Sequence, residues 1–141
     1  GPDEWPYAVP MSYAYRDGVV TFHGAMEGHK HELIAANSNA SFCVIDADEV
    51  VPADYTTRYR SVICFGAIEV VDEPAEQEDD LMFMGEAFNV GHPEDCREEI
   101  SHWAGKTRVL RLRVERMTGK ESGALMRERR AANPDRGEGV A

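Results

Sequence analysis

Two short segments hold most of the residues in this sequence that could do chemistry. The first, Phe22-His23-Gly24-Ala25-Met26-Glu27-Gly28-His29-Lys30-His31, combines three imidazoles with an ammonium. The second, Thr56-Thr57-Arg58-Tyr59-Arg60-Ser61-Val62, sets two guanidiniums among hydroxyls. Lys30, Arg58 and Arg60 are three of only five Lys and Arg residues up to Gly105, a stretch that carries 21 Asp and Glu. An acidic chain that places scarce cations and hydroxyls beside a helix start has the donor set of a site for a phosphorylated anion. Lys30, in the first turn of an expected helix, and Arg60-Ser61, on an expected strand, are the candidate phosphate ligands. A plainer arrangement uses the same residues, with Lys30 and His31 on a solvated helix face and Arg60 paired with a carboxylate. Arg58, on the opposite strand face from Tyr59, is expected in a surface or interface ion pair.

His23 is the candidate for work beyond binding, because imidazole donates to a developing anion or passes a proton near neutral pH. The equal alternative is a histidine hydrogen-bonded at a strand end. The other histidines and cysteines form weaker patterns. His29 and His31, two apart in a helix, point away from each other, and His92, Cys96 and His102 have unusual ligand spacing, so both sets read as structural and no metal site is expected.

The elements that must position these residues follow from periodicity and turn chemistry. Tyr7 to Tyr15 alternates large and small residues as a strand does, Asp17-Gly18 marks a hairpin turn, and Val19 to His23 returns as the next strand. Glu27 to Asn37 reads as a short helix. Ala40 to Asp46 predicts a strand, and Ala47 to Tyr55, with its acids and Pro52, an exposed loop. Tyr59 to Val71 predicts a long strand with a bulge or bend at Gly66. Pro74 opens an acidic helix to about Val90, and a second helix spans Glu94 to His102. Leu110, Leu112 and Val114 alternate with charged residues as a last strand with one solvated face. Leu81 to Met84 reads as core or dimer surface, and Trp103 as an anchor near that last strand. From Gly119 the chain is charged and small, an extension whose end, Ala131 to Ala141, is expected to be a tail.

Length and composition bound the whole. With 141 residues, 43 % of them hydrophobic, the chain is expected to form one soluble domain, with no apolar run long enough to span a bilayer and no signal-peptide pattern. Cys43, Cys64 and Cys96 show no framework spacing and read as reduced thiols of a cytoplasmic protein. A net charge of −11 disfavours nucleic acid and anionic membrane as partners. Ten Lys and Arg against five Asp and Glu follow Gly105, and this basic stretch is expected to pair with the acidic body or a second subunit.

The blocks Pro6-Tyr7-Ala8-Val9-Pro10-Met11-Ser12-Tyr13, Phe22-His23-Gly24-Ala25, Gly28-His29-Lys30 and Tyr59-Arg60-Ser61-Val62-Ile63-Cys64-Phe65-Gly66 resemble, in order and spacing, the 5-nitroimidazole-resistance proteins of the pyridoxamine 5′-phosphate oxidase-like, FMN-binding split-barrel superfamily. The resemblance runs from Pro6 to Thr118-Gly119-Lys120. It implies a mainly β, antiparallel Greek-key split barrel with few helices over residues 1–118, a homodimer with flavin at the subunit interface, and a further helix and first strand ahead of Pro6, so the sequence is expected to lack that part of the natural protein. It also implies FMN contacts from Phe22, His23, Gly24, Lys30, Tyr59, Arg60, Ser61 and Val62, with His23 beside the flavin where a small-molecule substrate approaches. F420 and haem are the alternative cofactors. The implied activity is reduction of nitroimidazole-like or other small electron acceptors. A non-catalytic flavin- or haem-binding carrier or sensor is the alternative, and a pyridoxamine 5′-phosphate oxidase ranks last, because a substrate phosphate needs cations that the first 105 residues do not have to spare.

Overall fold

A computed structural model describes residues 5–133. The element order is β1 (Tyr13–Arg16), β2 (Val19–Ala25), α1 (His29–Ala36), β3 (Asn39–Val51), β4 (Thr56–Val71), α2 (Pro74–Phe88), α3 (Pro93–Trp103), β5 (Thr107–Glu121) and α4 (Gly123–Ala132). The strands form one antiparallel sheet in the order β1-β2-β5-β4-β3, a Greek-key order in which the last strand lies between the second and the fourth. By its internal contacts the described chain divides into two compact units, residues 5–40 with 65–115 and residues 41–64 with 116–133.

In the first unit the β1–β2 hairpin forms because Asp17 and Gly18 both take positive φ, as a two-residue turn between Arg16 and Val19 demands. β1 begins only at Tyr13, six residues later than the alternation predicts. Pro6 and Pro10 cannot donate to a ladder, and Tyr7 turns instead to the His29 ring, edge-on at 5.1 Å. β2 pairs with β5 so that Val20 faces Leu112 and Phe22 faces Leu110, and all four side chains are buried. Gly66 on β4 is required by close approach, since a Cβ there would fall on the Arg113 carbonyl of β5.

The expected solvated face of β5 is covered in part. Arg111 donates through Nε to Asp80 of α2 at 2.7 Å and through its Nη1 to Glu76 at 2.6 Å, while Asp80 is only 4 % exposed. Asp80, and to a smaller degree Glu76, hold the Arg111 guanidinium above its ordinary pKa against the opposing effect of burial. Arg113 makes a two-bond pair with Glu69. The acids of the helix predicted from Pro74 are thus in part counter-ions for the basic end of the chain.

In the second unit β3 continues through Asp46, Asp48 and Glu49 to Val51, where the sequence predicts a loop. β3 is an edge strand, where charged side chains are tolerated, and Asp46 and Glu49 serve Arg60 and Arg58 of β4. Arg60 donates to Asp46 at 3.0 Å and to Glu121 at 3.3 Å, and Arg58 holds both carboxylate oxygens of Glu128 at 2.7 Å. Glu121 also accepts from Arg129 of α4, and these two guanidiniums, Arg129 first, hold its carboxyl below the usual range. β5 and α4 carry regular structure to Ala132; the end of the expected tail, residues 134–141, lies outside the described residues.

Breaking the Arg111 pair from one side leaves Asp80 buried and uncompensated. Arg111→Met is expected to lower unfolding stability by roughly 3 kcal/mol, whereas Arg111→Met with Asp80→Leu recovers most of the loss. Urea denaturation of the two variants beside the parent checks both figures.

Candidate functional site

β2 ends at the junction on which the sequence reading centred. Phe22 is buried in the core, His23 is exposed at the register position facing Val109, and Gly24 follows. α1 starts four residues beyond β2, with no side chain capping its start and with the His31 amide already donating to the Gly28 carbonyl at 2.9 Å. Lys30, in that first turn, folds back over the strand end. A Cβ placed on Gly24 would stand 2.9 Å from Lys30 Nζ, so the missing side chain of Gly24 is what lets the ammonium lie there. Among the described residues Lys30 has no carboxylate partner, and the ring of His23 has no hydrogen-bond partner. His31 turns away, donating from Nε2 to the Ala25 carbonyl at 2.8 Å, and His29 turns to Glu32.

The structure therefore brings Phe22, His23, Gly24 and Lys30 together. Tyr59, Arg60, Ser61 and Val62 lie on β4 in the second unit. There Arg60 carries the two carboxylates of Asp46 and Glu121, the arrangement of the plainer reading, and these raise its guanidinium above the ordinary value. Lys120 Nζ stands 5.2 Å over the Tyr59 ring.

A cavity of about 700 Å³ opens beside His23 and Gly24. Leu81, Met84 and Phe88 of α2 and Ile100 and Trp103 of α3 supply its apolar walls, with Ser12, Lys106 and Thr107 among the polar positions. Sequence reasoning assigned Leu81 to Met84 to core or dimer surface. Met84 is indeed buried, but with Leu81 it also faces this cavity. Trp103, expected as an anchor near the last strand, is half exposed, and its Nε1 donates to Glu99 at 2.6 Å. Gly85 marks the place where α2 and α3 meet, because a Cβ there would collide with Cys96 Sγ. A glycine within an otherwise good helix, eleven residues before a cysteine in the next one, is the sequence signal that could have located the crossing.

The sequence model of the pyridoxamine 5′-phosphate oxidase family matches residues 2–121. The chain belongs to that family. Solved structures bear out the fold that the family implies, an antiparallel split barrel. A candidate 5-nitroimidazole antibiotic resistance protein from Bacteroides thetaiotaomicron aligns with 83 % of this chain and 69 % of its own at 23 % identity, with a TM-score of 0.67. The conserved hypothetical protein Rv2991 from Mycobacterium tuberculosis aligns with all of this chain and 81 % of its own at 20 % identity, with a TM-score of 0.72. An FAD and haem binding protein from Mycobacterium smegmatis aligns with 86 % of this chain and 62 % of its own at 22 % identity, with a TM-score of 0.69. No curated protein matches. α2 and α3 pack against each other, and among the described residues no helix is long and apolar enough to cross a membrane.

The contact of Gly85 with Cys96 sets the spacing of the cavity walls. Gly85→Ala is expected to cost roughly 1 to 3 kcal/mol through overpacking, and Cys96→Ala in the same chain to restore part of it. A double-mutant cycle by urea denaturation measures the coupling, which should favour the double variant over the sum of the singles.

Proposed function

We propose that this chain binds FMN through the β2–α1 junction and serves as a reductase of nitroimidazole-like or other small electron-accepting compounds. The observation that carries the proposal is Lys30: in a chain of net charge −11, its ammonium lies against Gly24 at a helix start with no carboxylate beside it among the described residues. Such a position suits a phosphate, which would take the ammonium beside the positive end of α1. Arg60 would first have to exchange Asp46 or Glu121 for the phosphate, so the weight of the phosphate contact rests on Lys30. Membership of the family supports a flavin, as do the ligands of the similar proteins, FAD and haem in the one from M. smegmatis. FMN is preferred to haem here because the proposal is built on a phosphate-binding cation.

When bound, the flavin would supply two-electron chemistry, and the chain's own residues bind, position and protonate. Gly24, without a side chain, offers a close approach at the end of β2, and His23, exposed beside the cavity, would donate a proton from its imidazole to an acceptor lying there. Oxidation of pyridoxamine phosphate is disfavoured, because Arg58, Arg60, Arg111, Arg113 and Arg129 are already committed to carboxylates. A homodimer belongs to the same reading, since Ile45, Val50, Tyr55 and Met117 stand exposed on the second unit.

The visible spectrum of the purified protein distinguishes flavin, deazaflavin and haem. Lys30→Ala is expected to weaken FMN binding by roughly 1.5 to 3 kcal/mol in a fluorescence titration. His23→Ala is expected to slow reoxidation of the reduced protein by a nitroimidazole about 10²-fold in stopped flow while leaving FMN affinity nearly intact. Equal rates in both proteins would favour a carrier or sensor instead.

A further inference from the structure

The cavity beside His23 has walls of one character and an edge of another. Phe88 and Trp103 contribute rings, and Met84 and Ile100 contribute aliphatic surface. The charged groups in its lining are the carboxylates of Asp95 and Glu99 and the ammonium of Lys106. All three have local contacts, Asp95 standing 3.5 Å from His92 Nδ1. Glu99 accepts from Trp103 Nε1, which fixes the indole, while Lys106 donates to the His102 carbonyl at 3.2 Å and stands 5.8 Å above the Trp103 ring. The lining is thus apolar and, on balance, negative.

We propose that this cavity is the acceptor site and that it selects an uncharged aromatic molecule, with Trp103 and Phe88 as the walls that take the ring and Asp95 and Glu99 as the groups that turn anions away. A volume of about 700 Å³ is that of a small-molecule site. Aromatic walls favour a ring over an aliphatic chain of the same area, because offset and edge-on ring pairs add to burial. A carboxylate or phosphate entering here would leave water for an apolar space with one ammonium and two carboxylates, a loss without compensation. An uncharged ring meets no such cost. His23 belongs to this lining and to the β2–α1 junction alike, which puts a bound ring next to the proposed flavin. The assignment rests on the flavin reading for the fate of the ring, but binding of the ring does not depend on it.

Trp103 supplies the readout. The chain has two tryptophans, so Trp5→Phe leaves Trp103 alone, and nitroaromatic rings quench a tryptophan they approach. The protein as purified, carrying Trp5→Phe, is titrated with uncharged nitrobenzene and with anionic 4-nitrobenzoate. Saturable quenching by nitrobenzene, at least about tenfold tighter than by 4-nitrobenzoate, is expected. Ile100→Phe, which fills the cavity, should weaken nitrobenzene about tenfold, and Asp95→Asn with Glu99→Gln should narrow the gap between the two probes. Equal affinity for both probes overturns the proposal. So does a gap unmoved by the Asp95/Glu99 pair, or quenching that never saturates because a second copy or another segment fills the space. Bound flavin is recorded by absorbance in the same samples. Flavin without saturable quenching overturns the acceptor site alone, and saturable quenching without flavin overturns the flavin reading alone.

Discussion

The Arg111–Asp80 pair is the interaction on which the first unit turns. It joins β5, in the middle of the sheet, to α2, and it does so with a carboxylate that has almost no access to water. Such a pair adds little net stability over an apolar replacement, because both charges are desolvated to form it. What it contributes is register. A guanidinium fork that must meet Asp80 through Nε and Glu76 through Nη1 admits one rotation and one height of α2, and α2 carries Leu81, Met84, Gly85 and Phe88 to one side of the cavity. α3 is then set by its contact at Gly85 and Cys96. A pairing of charges on one helix turn thereby fixes apolar walls two turns further on.

Seen through its cations, the molecule divides its labour sharply. The guanidiniums of Arg58, Arg60, Arg111, Arg113 and Arg129 are structural ties to acids of the sheet and helices. Lys30 stands apart from them at the β2–α1 junction. A surplus of acid elsewhere raises the local contrast there, since an anion approaching most of this surface is repelled and one approaching Lys30 is not. In the proposed reading, the acidity of the chain is part of the binding chemistry.

Much of the fold was legible in local signals. Asp17-Gly18 marked its turn, Pro74 its helix, and the alternation of Leu110, Leu112 and Val114 its strand, because each of these features is decided by residues a few positions apart. The N-terminal strand was overcalled because alternation of size at Tyr7 to Tyr15 does not register the two prolines that remove ladder donors. β3 runs on through most of the loop expected from Ala47, because acids that read as solvated are, on an edge strand, counter-ions for the neighbouring strand. Within the candidate site, His23, Gly24 and Lys30 were visible as a block, since eight residues hold them. Trp103, Cys96 and Gly85 were not, because the cavity depends on how two helices cross, and a crossing angle is written in packing rather than in any motif. Arg60 shows the converse: its chemistry was legible, but the choice between phosphate and carboxylate was not, since Asp46 and Glu121 reach it from 14 positions upstream and 61 downstream.

The place of β5 in the strand order bears on how the chain must be made. A ribosome delivers β1 and β2, then β3 and β4, and only afterwards the strand that lies between β2 and β4. Until Thr107–Glu121 emerges there is no ladder joining the two hairpins, and the nascent chain carries most of its acids with few of the cations that neutralise them. The exposed edges of β2 and β4 must wait unpaired through the synthesis of both α2 and α3. The helices that wall the cavity are thus also the interval during which the unfinished sheet is open to pairing with other chains, and the arrival of one strand both closes that window and delivers the charge balance.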